Sequence, residues 1–298
     1  MGAGHQVATG RAASYMSSEG RVADELNGIG YYRFLSDLVE NFESRKQELV
    51  EKLTLTAKSI FRPENMMVDY TGSKEGFDAA IKQANRIYDL LYTEEVKKET
   101  YLPEPLKEKE GLIMSGQVNY VCRSGNFLKK GLPYTGALRV LRVIMGYQYL
   151  WVNVRVKGGA YGCMSAFGRT GNCYFVSYRD PNLEKTVEIF ENAPAEMRAF
   201  EADERTMTQF IIGTVSDMDV PKTPSAEGTR GYMAYMTGLT FEQIQKERDQ
   251  VLGCSPEDIK NTAEYLAAFL DDQNLCVVGN SASIHEKEEL FTKVENLF

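Results

Sequence analysis

Two runs of the chain share one element order at nearly constant spacing. Gly28-Ile29-Gly30-Tyr31-Tyr32 opens a helix pattern, a second helix follows, and a strand-like run begins at Asn65. Gly238-Leu239-Thr240-Phe241 opens a helix pattern, a second helix follows, and a strand-like run begins at Asn274. The openings lie 210 positions apart and the strand starts 209 apart. A constant offset of this kind indicates two copies of one domain. The alternative is a chance match of two helix-helix-strand runs. With a repeat, the segment before the first linker is too short. The second copy has a strand, a helix and a hairpin from Gln117 to Tyr178 that the first copy lacks. The expectation is therefore a partial domain over residues 1–110, ending in a linker, and a complete one over 111–298. The chain would then begin inside a domain and lack its upstream part.

Periodicity fills in the elements. Residues 7–61 read mainly as helix. Tyr31, Tyr32, Leu35, Leu38, Val39 and Phe42 recur at three- and four-residue steps, and Leu49, Leu53, Thr56 and Ile60 continue the rhythm. Phe61-Arg62-Pro63 ends it, because proline cannot sit inside a helix. Asn65 to Gly72 reads as a short buried strand. A helix from about Lys74 to Leu91 follows, with Phe77, Ile81, Ala84, Tyr88 and Leu91 inward. Thr93 to Glu110, charged and carrying Pro103 and Pro105, reads as a linker.

Gln117 to Cys122 is a strand with Val118, Tyr120 and Cys122 on one face. Leu138, Leu141, Met145, Tyr149 and Val152 trace a helix stripe. Ala160 to Tyr178 alternates like a β-hairpin turning at Gly168-Arg169-Thr170-Gly171-Asn172. Helices dominate from Leu183 to about Asp271. One starts at Ser255-Pro256-Glu257-Asp258, with a cap, a first-turn proline and acids at the positive helix end. Asn274 to Gly279 is the last strand, and Ile284 to Phe298 the last helix.

Composition narrows the function. Asp plus Glu number 42 against 34 Lys plus Arg, a net charge of −8. With no Lys/Arg block, such a chain is a poor nucleic-acid binder. No stretch approaches the roughly 20 apolar residues of a membrane span, so no membrane partner is expected. Cys122, Cys163, Cys173, Cys254 and Cys276 are odd in number and form no Cys-x-x-Cys. They read as small core residues in a reducing compartment, taken as cytoplasmic.

Metal ligands are scarce. His5 and His285 are the only histidines. His285-Glu286-Lys287-Glu288-Glu289 has Glu289 where a His-Glu-x-x-His site needs its second histidine, and it reads as a solvated terminal helix. No Gly-x-Ser-x-Gly elbow, dinucleotide fingerprint or phosphate loop is present. The informative run is Arg155-Val156-Lys157-Gly158-Gly159-Ala160-Tyr161-Gly162. Adjacent glycines permit a tight turn and close backbone approach. The guanidinium and phenol around them are donors suited to a substrate carbonyl or a developing oxyanion. A plain helix-to-strand turn, with Arg155 ion-paired at the surface and Tyr161 in the core, remains open on these residues alone.

Taken with Phe175-Val176-Ser177-Tyr178-Arg179-Asp180-Pro181-Asn182-Leu183, that run resembles the last domain of presequence-protease-like enzymes, within the pitrilysin/insulinase family of zinc metallopeptidases. Gly4-His5, Arg11-Ala12-Ala13-Ser14-Tyr15 and Gly28 to Leu35 resemble the domain before it. The resemblance implies α+β repeat domains of the mitochondrial-processing-peptidase-like type, each an antiparallel-rich sheet packed with helices. It implies four such domains in two halves closing around a chamber that degrades short unstructured peptides. Zinc would be held by His-x-x-Glu-His in the amino-terminal catalytic half, with the motif's glutamate as general base, and no cofactor would be held by this chain. The resemblance carries a substrate-positioning role onto Arg155 and Tyr161, with Gly158 and Gly159 shaping the approach. No catalytic or metal-binding residue is expected here, and the chain alone is expected to be inactive. A separate zinc-less subunit of a two-chain peptidase, or a scaffold without a peptide role, are the competing expectations.

Overall fold

The computed structural model describes residues 3–97 and 99–297. Two compact units emerge. One comprises Met1–Arg33, Leu102–Met218 and Gln245–Phe298; the other comprises Phe34–Tyr101 and Asp219–Ile244.

The first unit is built on a six-stranded sheet: β1 (Lys109–Met114), β2 (Tyr120–Asn126), β3 (Gly162–Phe167), β4 (Asn172–Tyr178), β5 (Asn274–Asn280) and β6 (Lys293–Asn296). The strand order is β3-β4-β2-β5-β1-β6. The β3–β4, β4–β2 and β2–β5 pairings are antiparallel, and β5–β1 and β1–β6 are parallel. The fold is thus α+β with a mixed, mainly antiparallel sheet.

Both faces of the sheet are covered, and β5 shows how. Its side chains alternate, as a pleated strand requires. Leu275 and Val277 enter a core with Phe175, Phe190, Leu266 and Phe269. Cys276 and Val278 enter a second core with Ala8, Ala12, Tyr15 and Tyr120. On the first face lie α6 (Ala137–Ile144), α7 (Glu184–Arg198), α8 (Glu204–Met218) and α11 (Pro256–Leu270); on the second lies α1 (Gly4–Ala13). The α11 cap is as expected, a reciprocal capping box between Ser255 and Asp258 with Pro256 in the first turn. The hairpin turn at 168–172 also forms, and Val118, Tyr120 and Cys122 share the second face.

Buried charge joins α1 and α2 (Ser18–Asn27) to β1. Arg11 Nε donates to Glu110 Oε2 at 2.5 Å, Arg11 Nη1 to Asp24 Oδ2 at 2.6 Å, and the Tyr15 hydroxyl to Glu110 Oε2 at 2.5 Å. Arg11 is 4% exposed and Glu110 not at all. Burial alone would lift the Glu110 carboxyl, but its bonds to Arg11 and Tyr15 outweigh that and hold it below the usual range.

The second unit is helical. It holds α4 (Phe42–Ile60), α5 (Lys74–Tyr88) and α9 (Pro224–Thr237), and none of the three has a buried residue. Ile81, Ala84 and Leu91 are half-buried, while Phe77 and Tyr88 are exposed.

Beyond the outward-facing Phe77 and Tyr88, four sequence expectations fail here. Asn65 to Gly72 is not a buried strand: a 3-10 turn at Pro63–Asn65 leads into extended, mostly exposed backbone. Extended residues become a strand only with a partner ladder, and among the described residues this segment has none. Lys109–Met114 is a central strand that the linker reading obscured, because its polar ends Lys109 and Glu110 masked the run Gly111 to Met114. The terminal helix is also wrong. Only Ser281–Glu286 is helical, a 3-10 turn follows, and Lys293–Asn296 pairs with β1; Phe298 lies outside the described residues. The Thr292 hydroxyl, 2.8 Å from the Lys109 backbone N–H, starts that pairing. Lastly, Val152 leaves the predicted stripe for solvent, while Leu150 and Val154 are buried. The helix widens to π geometry over Met145–Tyr149 and Trp151–Val156, and wider turns shift which residues face inward. No helix among the described residues is long and apolar enough to cross a membrane.

Candidate functional site

The π-helical end of α6 delivers Arg155 to a turn that only glycine fits. Lys157 N–H donates to the Val152 carbonyl at 2.9 Å, and Gly159 N–H to the Arg155 carbonyl at 2.9 Å. A Cβ at Gly158 would run into the Val154 carbonyl oxygen. Gly159 has φ +82°, the left-handed region that disfavours a side chain. The chain then reverses into β3, and the Tyr161 N–H donates to the Tyr178 carbonyl at 3.0 Å.

The second motif clamps this turn. Asn182 Nδ2 donates to the Gly158 carbonyl at 2.6 Å. Asp180 is buried, accepts from the Thr186 hydroxyl at 2.7 Å and the Asn182 N–H at 2.9 Å, and pairs its backbone with Asn119. Burial raises its carboxyl above the ordinary value, partly offset by those bonds. Arg155 and Tyr161 are therefore mounted on a cross-braced loop.

The two side chains converge. The Arg155 guanidinium carbon lies 4.0 Å from the Trp151 ring centroid and 5.6 Å from that of Tyr161. Tyr161 in turn meets Tyr178 edge to face at 5.7 Å. Arg155 is half-buried, Tyr161 is 64% exposed, and no carboxylate among the described residues lies within ion-pairing distance of Arg155. The guanidinium is thus held by ring faces, with its N–H donors unclaimed by an acid. A cation stacked on aromatic faces is oriented without being neutralised. The reading of a surface ion pair with a core tyrosine does not describe this geometry.

Sequence reasoning passed over Trp151, and gave Tyr178 and Asn182 no structural role beyond the run that carries the resemblance. Trp151 was findable: it is the only tryptophan and stands four residues before Arg155, one helical turn away. Asn182 carried no comparable signal, because its partner is a backbone carbonyl 24 residues upstream.

A cavity of about 350 Å³ opens against Trp151, lined also by Tyr147, Met164, Ser165, Arg142 and Asp217. Metal chemistry has no seat nearby. Among the described residues no group of three or more His, Cys, Asp and Glu side chains is arranged to hold a metal ion. His5 packs edge to face on Tyr178 at 4.8 Å, and His285 lies 3.7 Å from Glu288. These residues do not fit a catalytic zinc. The five thiols are unpaired, and burial raises them all, Cys163 to about 12, which makes them poor nucleophiles.

Comparison with known proteins agrees with the motifs. The family model described as the PreP C-terminal domain matches residues 109–281. The chain is 36% identical over 294 residues to Protein HypA of Clostridium perfringens, covering 99% of this chain and 30% of that protein. It is 28% identical over 288 residues to presequence protease 1, chloroplastic/mitochondrial, of Arabidopsis thaliana, covering 95% of this chain and 26% of the relative. The chain thus spans under a third of the length of these relatives. Among solved structures, pitrilysin aligns at 16% identity with a TM-score of 0.48, over 76% of this chain and 25% of that one. With more than half of its residues matched by one family model, the chain belongs to the PreP C-terminal domain family.

Proposed function

We propose that this chain is the non-catalytic carboxy-terminal part of a zinc metalloendopeptidase that degrades short, unstructured peptides. Its role is to close the reaction chamber and to present Arg155 and Tyr161 to a peptide held at zinc by an amino-terminal catalytic half. The observation that carries this reading is the Arg155 guanidinium, stacked between Trp151 and Tyr161 with no carboxylate among the described residues to neutralise it. Such a preorganised donor favours a carbonyl oxygen as negative charge develops on it. Gly158 and Gly159 keep the turn narrow enough for a peptide backbone to approach.

Two further observations support the assignment. The relatives named presequence protease are more than three times as long as the matched region, which leaves room for a separate zinc-binding half. The helices α4, α5 and α9 leave Leu53, Ile60, Phe77, Ile87 and Tyr235 exposed. Amphipathic faces without a covering layer suit a partner polypeptide, and the amino-terminal half is the proposed cover. In this reading residues 1–110 are part of a third domain and 111–298 a fourth; the family match beginning at residue 109 favours that boundary.

The test joins the chain to its catalytic half. Arg155→Leu and Tyr161→Phe should each lower turnover of a quenched fluorescent peptide, with zinc content unchanged. Full activity in both variants would leave the chain a scaffold. The chain alone, supplied with zinc, should cleave nothing; chelator-sensitive cleavage by it would refute the proposal.

A further inference from the structure

We propose that the cavity beside Trp151 is a side-chain subsite for an extended peptide, and that it takes a tyrosine. The inference rests on the peptide-handling role proposed for Arg155 and Tyr161. It adds which residue of the peptide this domain selects and how.

Three observations define the site. First, the cavity lies at a free sheet edge. β3 ends the sheet, so one side of its backbone has no strand neighbour among the described residues. Consecutive β3 residues Cys163, Met164 and Ser165 all line the cavity. Successive strand side chains point to opposite faces, so a cavity touching all three sits at the strand's rim. An extended peptide pairing with that edge sends alternate side chains toward the same rim.

Second, the lining matches an aromatic ring. Tyr147, Trp151, Met164 and Val143 supply apolar walls, and about 350 Å³ is ample for one large side chain. Tyr147, Trp151 and Met164 also carry exposed apolar surface that an inserted ring would cover.

Third, the lining holds an unsatisfied polar group. Ser165 is 8% exposed, and its Oγ has no hydrogen-bond partner. A buried hydroxyl left unpaired is costly, and it marks a place where a ligand's polar atom belongs. A phenol brings a ring for the walls and a hydroxyl for Ser165, whose covered Oγ must turn about χ1 toward the cavity to meet it. Phenylalanine satisfies only the first and alanine neither.

The cavity is continuous with the proposed site. Trp151 forms one of its walls and carries Arg155 on its ring, and Arg155 also bears electrostatically on Cys163. A peptide threaded along β3 would place its tyrosine in the cavity and its neighbouring backbone near Arg155.

The chain supplies its own reporter, because Trp151 is the sole tryptophan. The experiment titrates the whole chain with three acetylated, amidated hexapeptides that differ only in a central Tyr, Phe or Ala, and reads Trp151 emission. The Tyr peptide should bind at least about tenfold more tightly than the Ala peptide, which is the effect of burying one large side chain. Ser165→Ala should bring the Tyr peptide to the Phe level, a loss of about fivefold. Gly146→Phe should abolish the preference by filling the cavity. Gly146 lies in a helix, lines the cavity, and a Cβ there meets nothing within 4 Å, so this variant should fold. An unchanged melting temperature and circular dichroism spectrum check that. Equal binding of the Tyr and Ala peptides, or a preference that survives Gly146→Phe, overturns the subsite. Failure of the underlying reading looks different: Arg155→Leu would leave the affinity for all three peptides unchanged while the Tyr preference persists.

Discussion

Two arginines in this molecule show what a guanidinium is for in different surroundings. Arg11 is sealed between Glu110 and Asp24, and each of its bonds to them lies within 3 Å. Arg155 is half-buried, braced by Trp151 and Tyr161, and has no acid beside it among the described residues. The first ties α1 and α2 to β1. The second is held still by aromatic faces that leave its donors available. Partner chemistry, more than burial alone, separates a structural cation from one poised for binding.

The contrast can be broken by substitution, and the largest effect should come from the structural arginine. Arg11→Leu leaves Glu110 and Asp24 buried without their cation, and should cost about 3–5 kcal/mol in a denaturant titration. In the joined enzyme, Arg155→Leu should remove about 2.7–4 kcal/mol of transition-state stabilisation, read as kcat. Its melting should change by less than the equivalent of about 1 kcal/mol, because a stacked, part-exposed cation contributes little to folding. If Arg155→Leu destabilises as much as Arg11→Leu, the distinction between the two fails. Asn182→Ala tests the brace between them in size. Losing its bond to the Gly158 carbonyl should cost about 1 kcal/mol of stability and lower turnover through misplaced Arg155.

Acidity sharpens the same comparison. The folded Glu110 carboxyl titrates below its unfolded value of about 4.3. Its contribution is therefore present above that pH and is lost as pH falls through the folded value. Wild-type stability should decline in that range, and Glu110→Gln should lose this part of the slope. In Arg11→Leu the sign reverses: burial without a cation raises the Glu110 carboxyl, so that variant should gain stability on mild acidification. A variant with the wild-type slope would show that Arg11 is not what holds Glu110 ionised.

Local signals were dependable where the chain's own neighbours supply the bonding. Ser255 with Asp258 closes a capping box within one turn, and Gly168 to Asn172 turns a hairpin whose strands are adjacent in sequence. The Gly158-Gly159 turn was legible for the same reason, whereas the residues alone left open whether Arg155 and Tyr161 face one another. Where the partner is remote, the sequence was ambiguous. Asn65 to Gly72 has strand composition but no ladder to join among the described residues. Lys293 to Asn296 has charged composition, yet becomes a strand because β1, more than 180 residues earlier, offers a parallel edge. Glu110 looked like part of a charged linker and is fully buried, since its charge is answered by Arg11 and Tyr15 from another element.

The sequence by itself determined the helix caps, the hairpin, the glycine turn and the family, because each depends on residues a few positions apart or on a specific run of them. Tertiary structure alone decided which extended segments became strands, which arginine was neutralised, and that Trp151 carries Arg155 beside a cavity holding an unpaired serine. Those outcomes hinge on hydrogen bonds and ring contacts between distant segments, whose energies exist only once the chain has closed upon itself.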